Sequence, residues 1–145
     1  MMIIRVNGIP APQGSKRHVG GGRMVESSAA VGPWREAIRS EIQDALEGGE
    51  HGFPEGPVTV FATFYLKRSQ GHYGTGRNSH LLKPSAPAYP AIRPDLDKLA
   101  RAVLDAIVMG GAIGDDKQVV TLEVTKLYAS LSEPPGVRIG IRVPV

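Results

Sequence analysis

Apolar residues repeat along the chain with a helical period in two places, and these predict two helices. The first stripe runs from Trp34 to Leu46, in a stretch that opens at Pro33 and stops at Gly48. Proline suits the first helical turn, and glycine commonly follows the last one. A second and broader apolar stripe predicts a helix over 96–108.

An alternation of apolar and polar residues predicts four strands, at residues 2–6, 57–66, 119–126 and 137–143. Both faces of the 57–66 segment are largely apolar, so we expect this strand near the centre of a sheet. In the last strand we expect Arg138 and Arg142 to face solvent. The residues expected to face the core there are Val137, Ile139, Ile141 and Val143.

The order of these elements, β-α-β-α-β-β, predicts a small α+β domain with a mixed sheet and two main helices. The 145 residues contain no internal repeat and are enough for one core, so we predict one domain over 1–145. Two segments lack periodicity, the Gly- and Pro-rich stretch 9–32 and the stretch 67–93. Loops this long are usually functional or disordered, so mobility of 67–93 is one expectation.

Composition excludes several functional classes. No apolar run is long enough to span a membrane, and the N-terminus lacks the pattern of a signal peptide, so no membrane partner is expected. The chain has no cysteine, which removes disulfides and thiolate metal sites and fits a reducing, cytoplasmic compartment. No organic cofactor is expected either.

Positive charge is concentrated in two segments, although the net charge is only +3. No acid precedes Glu26, and none lies between Leu66 and Asp95. Acid-free basic segments favour a polyanion, because Lys and Arg near phosphates release counterions; the alternative is a solvated loop. Tyr73 and Tyr89 either stack on bases or anchor their loop. The basic residues predicted to contact DNA are Lys16, Arg17, Arg23, Lys67, Arg68, Arg77, Lys83 and Arg93.

Aspartates gather near the second predicted helix. Asp95 and Asp97 stand at its start, Asp105 lies within it, and the pair Asp115-Asp116 follows its end. Carboxylates grouped in this way suit Mg²⁺ or Mn²⁺, which prefer hard oxygen ligands. The four histidines are scattered in predicted loops and are not expected as ligands. For either of the first two aspartates alone, the alternative is a helix cap.

Asp97, Arg101 and Asp105 are four residues apart and therefore share one helix face. The short connection 110–114 can return the Asp115-Asp116 pair to the start of this helix or to its flank. A metal ion held by two or three carboxylates can bridge a scissile phosphate and lower the pKa of water. Arg101 is the cation placed to stabilise transition-state charge, and its alternative is a salt bridge to one of the flanking aspartates.

Three segments resemble the signature of the RusA family of Holliday junction resolvases. The family pattern is Asp-x-Asp-Asn-Leu-x-Lys, a Leu-Asp helix segment, and Asp-Asp-x-Gln-Val at the start of a strand. Order and gaps match over 93–126, and the flanking elements are similar to the family's small α+β layout. The segments are Pro94-Asp95-Leu96-Asp97-Lys98-Leu99 with Arg101, Val103-Leu104-Asp105-Ala106, and Gly114-Asp115-Asp116-Lys117-Gln118-Val119-Val120.

The resemblance implies a role for each aspartate. Asp95, Asp97 and Asp116 would be the catalytic, metal-binding carboxylates. Asp115 would be an adjacent ligand or a support, and Asp105 would be structural.

Two positions depart from the family pattern. Arg101 occupies the place of the family's catalytic lysine, so the charge is kept, but a guanidinium does not readily donate a proton. Lys98 stands where the family often has asparagine, and it either contacts phosphate or pairs with Asp95.

The family implies a Mg²⁺-dependent homodimer, with Mn²⁺ as a substitute, that makes paired symmetric nicks in four-way DNA junctions and leaves 5′-phosphate and 3′-hydroxyl ends. The basic loops are similar to those of phage-encoded members, which act in the cytoplasm of a bacterial host. A nuclease for forks or flaps in phage replication or packaging is a second hypothesis. A non-catalytic branched-DNA-binding protein and a metal-stabilised structural module are two more.

Overall fold

Two helices and one face of a four-stranded sheet share a single hydrophobic core. The computed structural model describes residues 1–14, 17–18, 24–25 and 29–145, with 17, 18, 24 and 25 described by their backbone alone. The elements in chain order are β1 Met2–Asn7, β2 Arg17–His18, β3 Met24–Val25, α1 Val31–Glu47, β4 Val58–Leu66, α2 Leu96–Met109, β5 Val119–Tyr128 and β6 Gly136–Arg142.

The main sheet has the strand order β1-β6-β4-β5. β6 runs antiparallel to both of its neighbours, whereas β4 and β5 are parallel. The sheet is therefore mixed, and β4 lies inside it, as its two apolar faces predicted. The small α+β architecture with two main helices is confirmed.

Alternation along the strands decides which side chains reach the core. Phe64 on β4 and Ile38 and Ile42 on α1 are fully buried. On β6, Val137, Ile139 and Ile141 are buried, as predicted, and Arg138 is exposed. Arg142 lies half-buried, with its guanidinium 5.0 Å from the centre of the Phe61 ring. The prediction for Val143 is wrong: it follows the end of the strand and is 62% exposed.

The stretch 9–32 contains more structure than its composition predicted. β2 and β3 pair with each other as two-residue strands, which are too short to show periodicity. α1 begins at Val31, and Pro33 is its third residue and not its first. The first helical turn leaves backbone amides without helical acceptors, so a proline is tolerated at any position in that turn.

The 67–93 segment folds back on the end of β5. It contains short 3₁₀ turns at Gln70–His72 and Gly76–Asn78 and a bridge between Tyr73 and Leu82. The Arg68 guanidinium lies 4.1 Å from the centre of the Tyr128 ring. Within the described ranges, no helix is long and apolar enough to cross a membrane.

Candidate active site

The first turn of α2 presents two carboxylates to solvent. Asp95 is the N-cap residue, and its carbonyl accepts a hydrogen bond from the Leu99 amide at 3.1 Å. Its side chain makes no capping hydrogen bond, so the capping alternative fails for Asp95. The Lys98 Nζ lies 3.7 Å from Asp95 Oδ2, which is the pairing that the sequence offered for Lys98. Asp97 lies in the same first turn and is exposed. Oxygen atoms of both carboxylates therefore face solvent at the helix start.

A buried glutamine holds the turn that carries the other aspartate pair. Gln118 is 8% exposed, and its Oε1 accepts hydrogen bonds from the amides of Gly114 and Asp115 at 2.7 and 2.9 Å. Its Nε2 donates to the carbonyls of Phe53 and Gly56, both at 2.9 Å. The turn is thereby fastened to the segment that precedes β4, at the start of β5.

The same turn has a capping box at its start. The Asp115 Oδ1 accepts a hydrogen bond from the Lys117 amide at 2.9 Å, and Gln118 completes the reciprocal bond. The Lys117 amide is also the main cause that lowers the pKa of Asp115, with smaller lowering contributions from Asp116 and from the Lys117 charge. The Asp115 side chain therefore stabilises the turn, whereas the Asp116 side chain is exposed beside it.

Asp105 is engaged by the N-terminal segment. Gln13 Nε2 donates to Asp105 Oδ2 at 2.7 Å, and Arg35 Nη1 donates to Gln13 Oε1 at 2.8 Å. The same Arg35 nitrogen lies 3.9 Å from Asp105 Oδ2. The backbone N–H of Gln13 also donates to the backbone carbonyl of Lys98 at 3.0 Å. Asp105 thus joins α2 to α1 and to the 9–14 segment, which agrees with its expected structural role.

The aspartates form two groups on one side of α2. Asp115 and Asp116 line a depression of about 350 Å³ together with Asp105, Val108 and Met109. They approach the flank of the C-terminal half of α2, which is the second of the two sequence-based options. Asp97 and Asp105 are eight positions apart on the helix, which corresponds to a rise of about 12 Å. In the part of the chain that is described, no three acidic or histidine side chains lie close enough to hold a metal ion together.

A cleft of about 640 Å³ opens beside the N-terminal group. It is lined by Arg93, Pro94, Asp95 and Lys98 on one side. On the other side it is lined by residues of the N-terminal segment, Ile9, Pro10, Ala11, Pro12 and Gly14, with Ala30. The exposed carboxylate of Asp95 thus lies at the wall of a largely apolar cleft.

Arg101 projects from the exposed side of α2 between the two groups. Among the residues that the structure describes, it has no ion pair within 4.0 Å, so the salt-bridge alternative is not observed.

The basic residues of the 67–93 segment differ in how far their side chains are exposed to solvent. Lys67, Arg77, Lys83 and Arg93 are exposed. Arg68 is half-buried and donates to the Pro87 carbonyl at 2.8 Å, so it anchors the segment. Tyr73 is half-buried, whereas Tyr89 is 69% exposed. Lys16 and Arg23 lie outside the described residues, and Arg17 is described by its backbone alone.

Sequence reasoning gave no role to Gln13 or Gln118. For Gln118 a local signal existed, since a glutamine three residues after an aspartate is the pattern of a capping box. For Gln13 there was none, because its partners Asp105 and Arg35 are distant in sequence.

We expect Gln118→Leu to lower the free energy of unfolding by about 2 kcal/mol or more, because a leucine leaves two amides of the turn and the carbonyls of Phe53 and Gly56 without these partners. Urea denaturation measures this change. Gln43→Leu is the matched control: Gln43 is exposed on α1 and accepts a hydrogen bond from Arg39 at 2.6 Å. The control should change the free energy by less than about 0.5 kcal/mol. Equal effects of the two substitutions would contradict the anchoring role.

The lowered pKa of Asp115 predicts that the free energy of unfolding depends on pH. Because its pKa is lowered by folding, its charged form contributes stability that is present above the usual value of 3.8 and is lost as the pH falls through the lower folded pKa. Asp115→Asn cannot ionise and lacks this contribution. The difference in unfolding free energy between wild type and variant should therefore be constant above pH 3.8 and shrink below it. Urea midpoints at a series of pH values measure it, and a difference that widens towards acid would refute the assignment.

The family of this chain follows from comparison with known proteins. The family model described as endodeoxyribonuclease RusA matches residues 6–142 of the 145-residue chain, which includes both helices, strands β4, β5 and β6, and the last two residues of β1. No curated protein matches the chain at a significant level. Nucleases of this family resolve Holliday junctions and generally use divalent metal ions. The chain therefore belongs to the RusA family of endodeoxyribonucleases, and it is a nuclease that acts on junction DNA.

Proposed function

We propose that this nuclease resolves four-way junctions by paired symmetric nicks, as a Mg²⁺-dependent homodimer in which Mn²⁺ can substitute. The proposal is carried by one observation at Asp95: this residue occupies the N-cap position of α2, but its side chain makes no capping hydrogen bond. A carboxylate at that position normally satisfies a free backbone amide. Here it lies exposed beside Asp97 and pairs with Lys98 at 3.7 Å, within a chain that belongs to a junction-resolving family.

Asp95 and Asp97 are proposed to hold the metal, with Asp116 and Asp115 as further carboxylates. Carboxylate oxygens suit Mg²⁺, which usually takes one or two protein carboxylates together with waters and substrate phosphates. Two exposed aspartates in one helical turn therefore fit as the protein's contribution. When bound, such an ion lowers the pKa of water and stabilises charge on phosphate oxygens.

Asp116, in the acidic group that lies at the start of β5, is proposed to bind metal at the same substrate strand as Asp95 and Asp97. Its turn is fastened by Gln118, so its backbone position does not depend on the substrate. Asp115 is proposed to support it, because one of its oxygens already accepts the Lys117 amide.

Arg101 is proposed to stabilise negative charge that develops on the phosphate. It lies on the exposed side of α2, between the start of the helix and the depression that contains Asp105. No carboxylate neutralises it within the described ranges. Its role is electrostatic, since a guanidinium is a poor proton donor.

Exposed basic residues are proposed to hold the arms of the junction through their phosphates. This group comprises Lys67, Arg77, Lys83 and Arg93, together with Lys98 at the start of α2. The exposure of the first four and the absence of acids from 67 to 94 support a phosphate-binding surface. Lys16, Arg17 and Arg23 belong to the same proposal on the basis of sequence alone.

A homodimer is proposed because the substrate has near two-fold symmetry. Two copies related by a two-fold axis present two equal active sites, and each can nick one of two opposite strands. Water would attack the phosphodiester and leave a 5′-phosphate and a 3′-hydroxyl. The cleaved junction would then be two nicked duplexes in the cytoplasm of the host cell.

We expect Asp95→Asn, Asp97→Asn and Asp116→Asn each to lower the cleavage rate of a labelled four-way junction by at least about 100-fold, since losing even a residue that only orients a metal ligand costs ten- to hundred-fold. Binding of the junction, measured without metal, should persist. Asp44→Asn is the control, because Asp44 is exposed on α1 and the change in net charge is the same. Normal cleavage by the Asp97 and Asp116 variants would show that the metal site is wrongly assigned.

Substrate preference separates the proposal from a nuclease for other branched DNA. A competition panel of junction, fork, flap and linear duplex should show the four-way junction cleaved first and in two symmetric positions. Preference for forks or flaps would favour a role in phage replication or packaging. Tight junction binding with no cleavage at any Mg²⁺ or Mn²⁺ concentration would instead favour a non-catalytic binding protein.

A further inference from the structure

The segment that leads into α2 lacks the usual backbone support. Among the described residues, no hydrogen bond to another backbone group is made by the amides or carbonyls of 92–94. Asp95 follows directly, and its own side chain does not cap the helix. Whatever fixes this segment therefore also fixes the two carboxylates at the helix start.

Lys126 supplies that support from β5. Its Nζ donates to the carbonyl of Ile92 at 2.7 Å and to the carbonyl of Pro94 at 3.0 Å. In the parallel pairing, Lys126 is opposite Phe64, which is fully buried in the core. Paired residues of neighbouring strands project to the same side of a sheet. The Lys126 side chain therefore lies on the helix side of the sheet, beneath the start of α2.

The carbonyl of Pro94 and the amide of Asp95 belong to one planar peptide unit. Fixing this carbonyl fixes the direction in which the chain enters the helix at Asp95. The second bond, to Ile92, fixes the chain two residues earlier. Lys126 thus binds the carbonyls of the residues on both sides of Arg93, immediately before the helix begins.

The partners of Lys126 are neutral, and this matters for the site. An ammonium group has three donors, and two of them are used on carbonyls. Within the described part of the chain, Lys126 makes no ion pair with Asp95 or Asp97. The lysine therefore holds the segment without neutralising the carboxylates that would bind a cation.

We propose that Lys126 is a positioning residue that sets the geometry of Asp95 and Asp97 for metal binding. The inference deepens the proposed function and rests on it for the role of the two aspartates. Lys126 acts through the backbone of 92–94 and does not contact the metal or the phosphate. Loss of its ammonium should weaken the metal site while leaving the core and the affinity for junction DNA intact.

The test compares Lys126→Met, Lys126→Arg and Arg138→Gln with wild type. Methionine keeps a flexible stem but donates no hydrogen bond, and arginine keeps the donors and the charge. Arg138→Gln is the matched control, because Arg138 is exposed on β6 and its loss changes the net charge equally. Three quantities are measured: hydrogen exchange of the Leu99 amide without metal, Mn²⁺ affinity by electron paramagnetic resonance, and the Mg²⁺ midpoint of junction cleavage.

In Lys126→Met we expect exchange at Leu99, whose amide bonds to the Asp95 carbonyl, to accelerate by about ten-fold, the equivalent of one or two lost hydrogen bonds. The Mn²⁺ dissociation constant and the Mg²⁺ midpoint should each rise by about ten-fold, as for other residues that orient metal ligands. In Lys126→Arg, the exchange rate at Leu99, the Mn²⁺ dissociation constant and the Mg²⁺ midpoint should each return close to the wild-type value. Arg138→Gln should behave as wild type.

Unchanged Mn²⁺ affinity and unchanged exchange at Leu99 in Lys126→Met would overturn the proposal. Equal acceleration at Leu99 and at the buried Ile139 amide would also overturn it, because that result indicates a loss of global stability. If wild type binds Mn²⁺ but leaves the junction intact, the nuclease proposal fails by itself. The role of Lys126 is then still decided by Mn²⁺ affinity and amide exchange, which do not require cleavage.

Discussion

The burial of one face of α2 against the sheet is the constraint on which the candidate site depends. Leu99, Val103 and Ile107 are buried in the core, so the rotation of the helix about its axis is determined. The positions of Asp97 and Arg101 on the exposed side follow from that rotation, since side chains four residues apart share a helix face. The charged face is thus a consequence of hydrophobic packing on the opposite face.

Strand β5 organises both ends of this face. It begins directly after the turn that carries Asp116, and its Lys126 reaches the segment before Asp95. The seven residue steps from Val119 to Lys126 span about 23 Å of strand, which is close to the length of about 21 Å expected for a 14-residue helix such as α2. The two acidic groups are therefore held at a fixed separation by a strand that belongs to the sheet.

Side-chain hydrogen bonds to neutral backbone groups position both acidic segments. Gln118 fastens one acidic turn through four bonds to backbone groups, and Lys126 fastens the other through two carbonyls. Asp115 and Asp105 take part in such networks, whereas Asp95 does not cap its helix. This division suits a cation site, because carboxylates that already accept strong hydrogen bonds have fewer oxygen atoms to offer.

The sequence by itself determined the elements and the chemistry of the exposed groups. Periodicity placed the two helices, the inner position of β4 and the buried residues Val137, Ile139 and Ile141, because amphipathic patterns report directly on burial. Motif spacing indicated the family, and the match over 6–142 confirmed it. Only the tertiary structure decided that Asp115 and Asp116 meet the flank of α2, that Gln13 binds Asp105, and that Lys126 binds the backbone before Asp95. These contacts join residues far apart in sequence, so no local period encodes them, and they arise only when the core has fixed the packing of strand and helix.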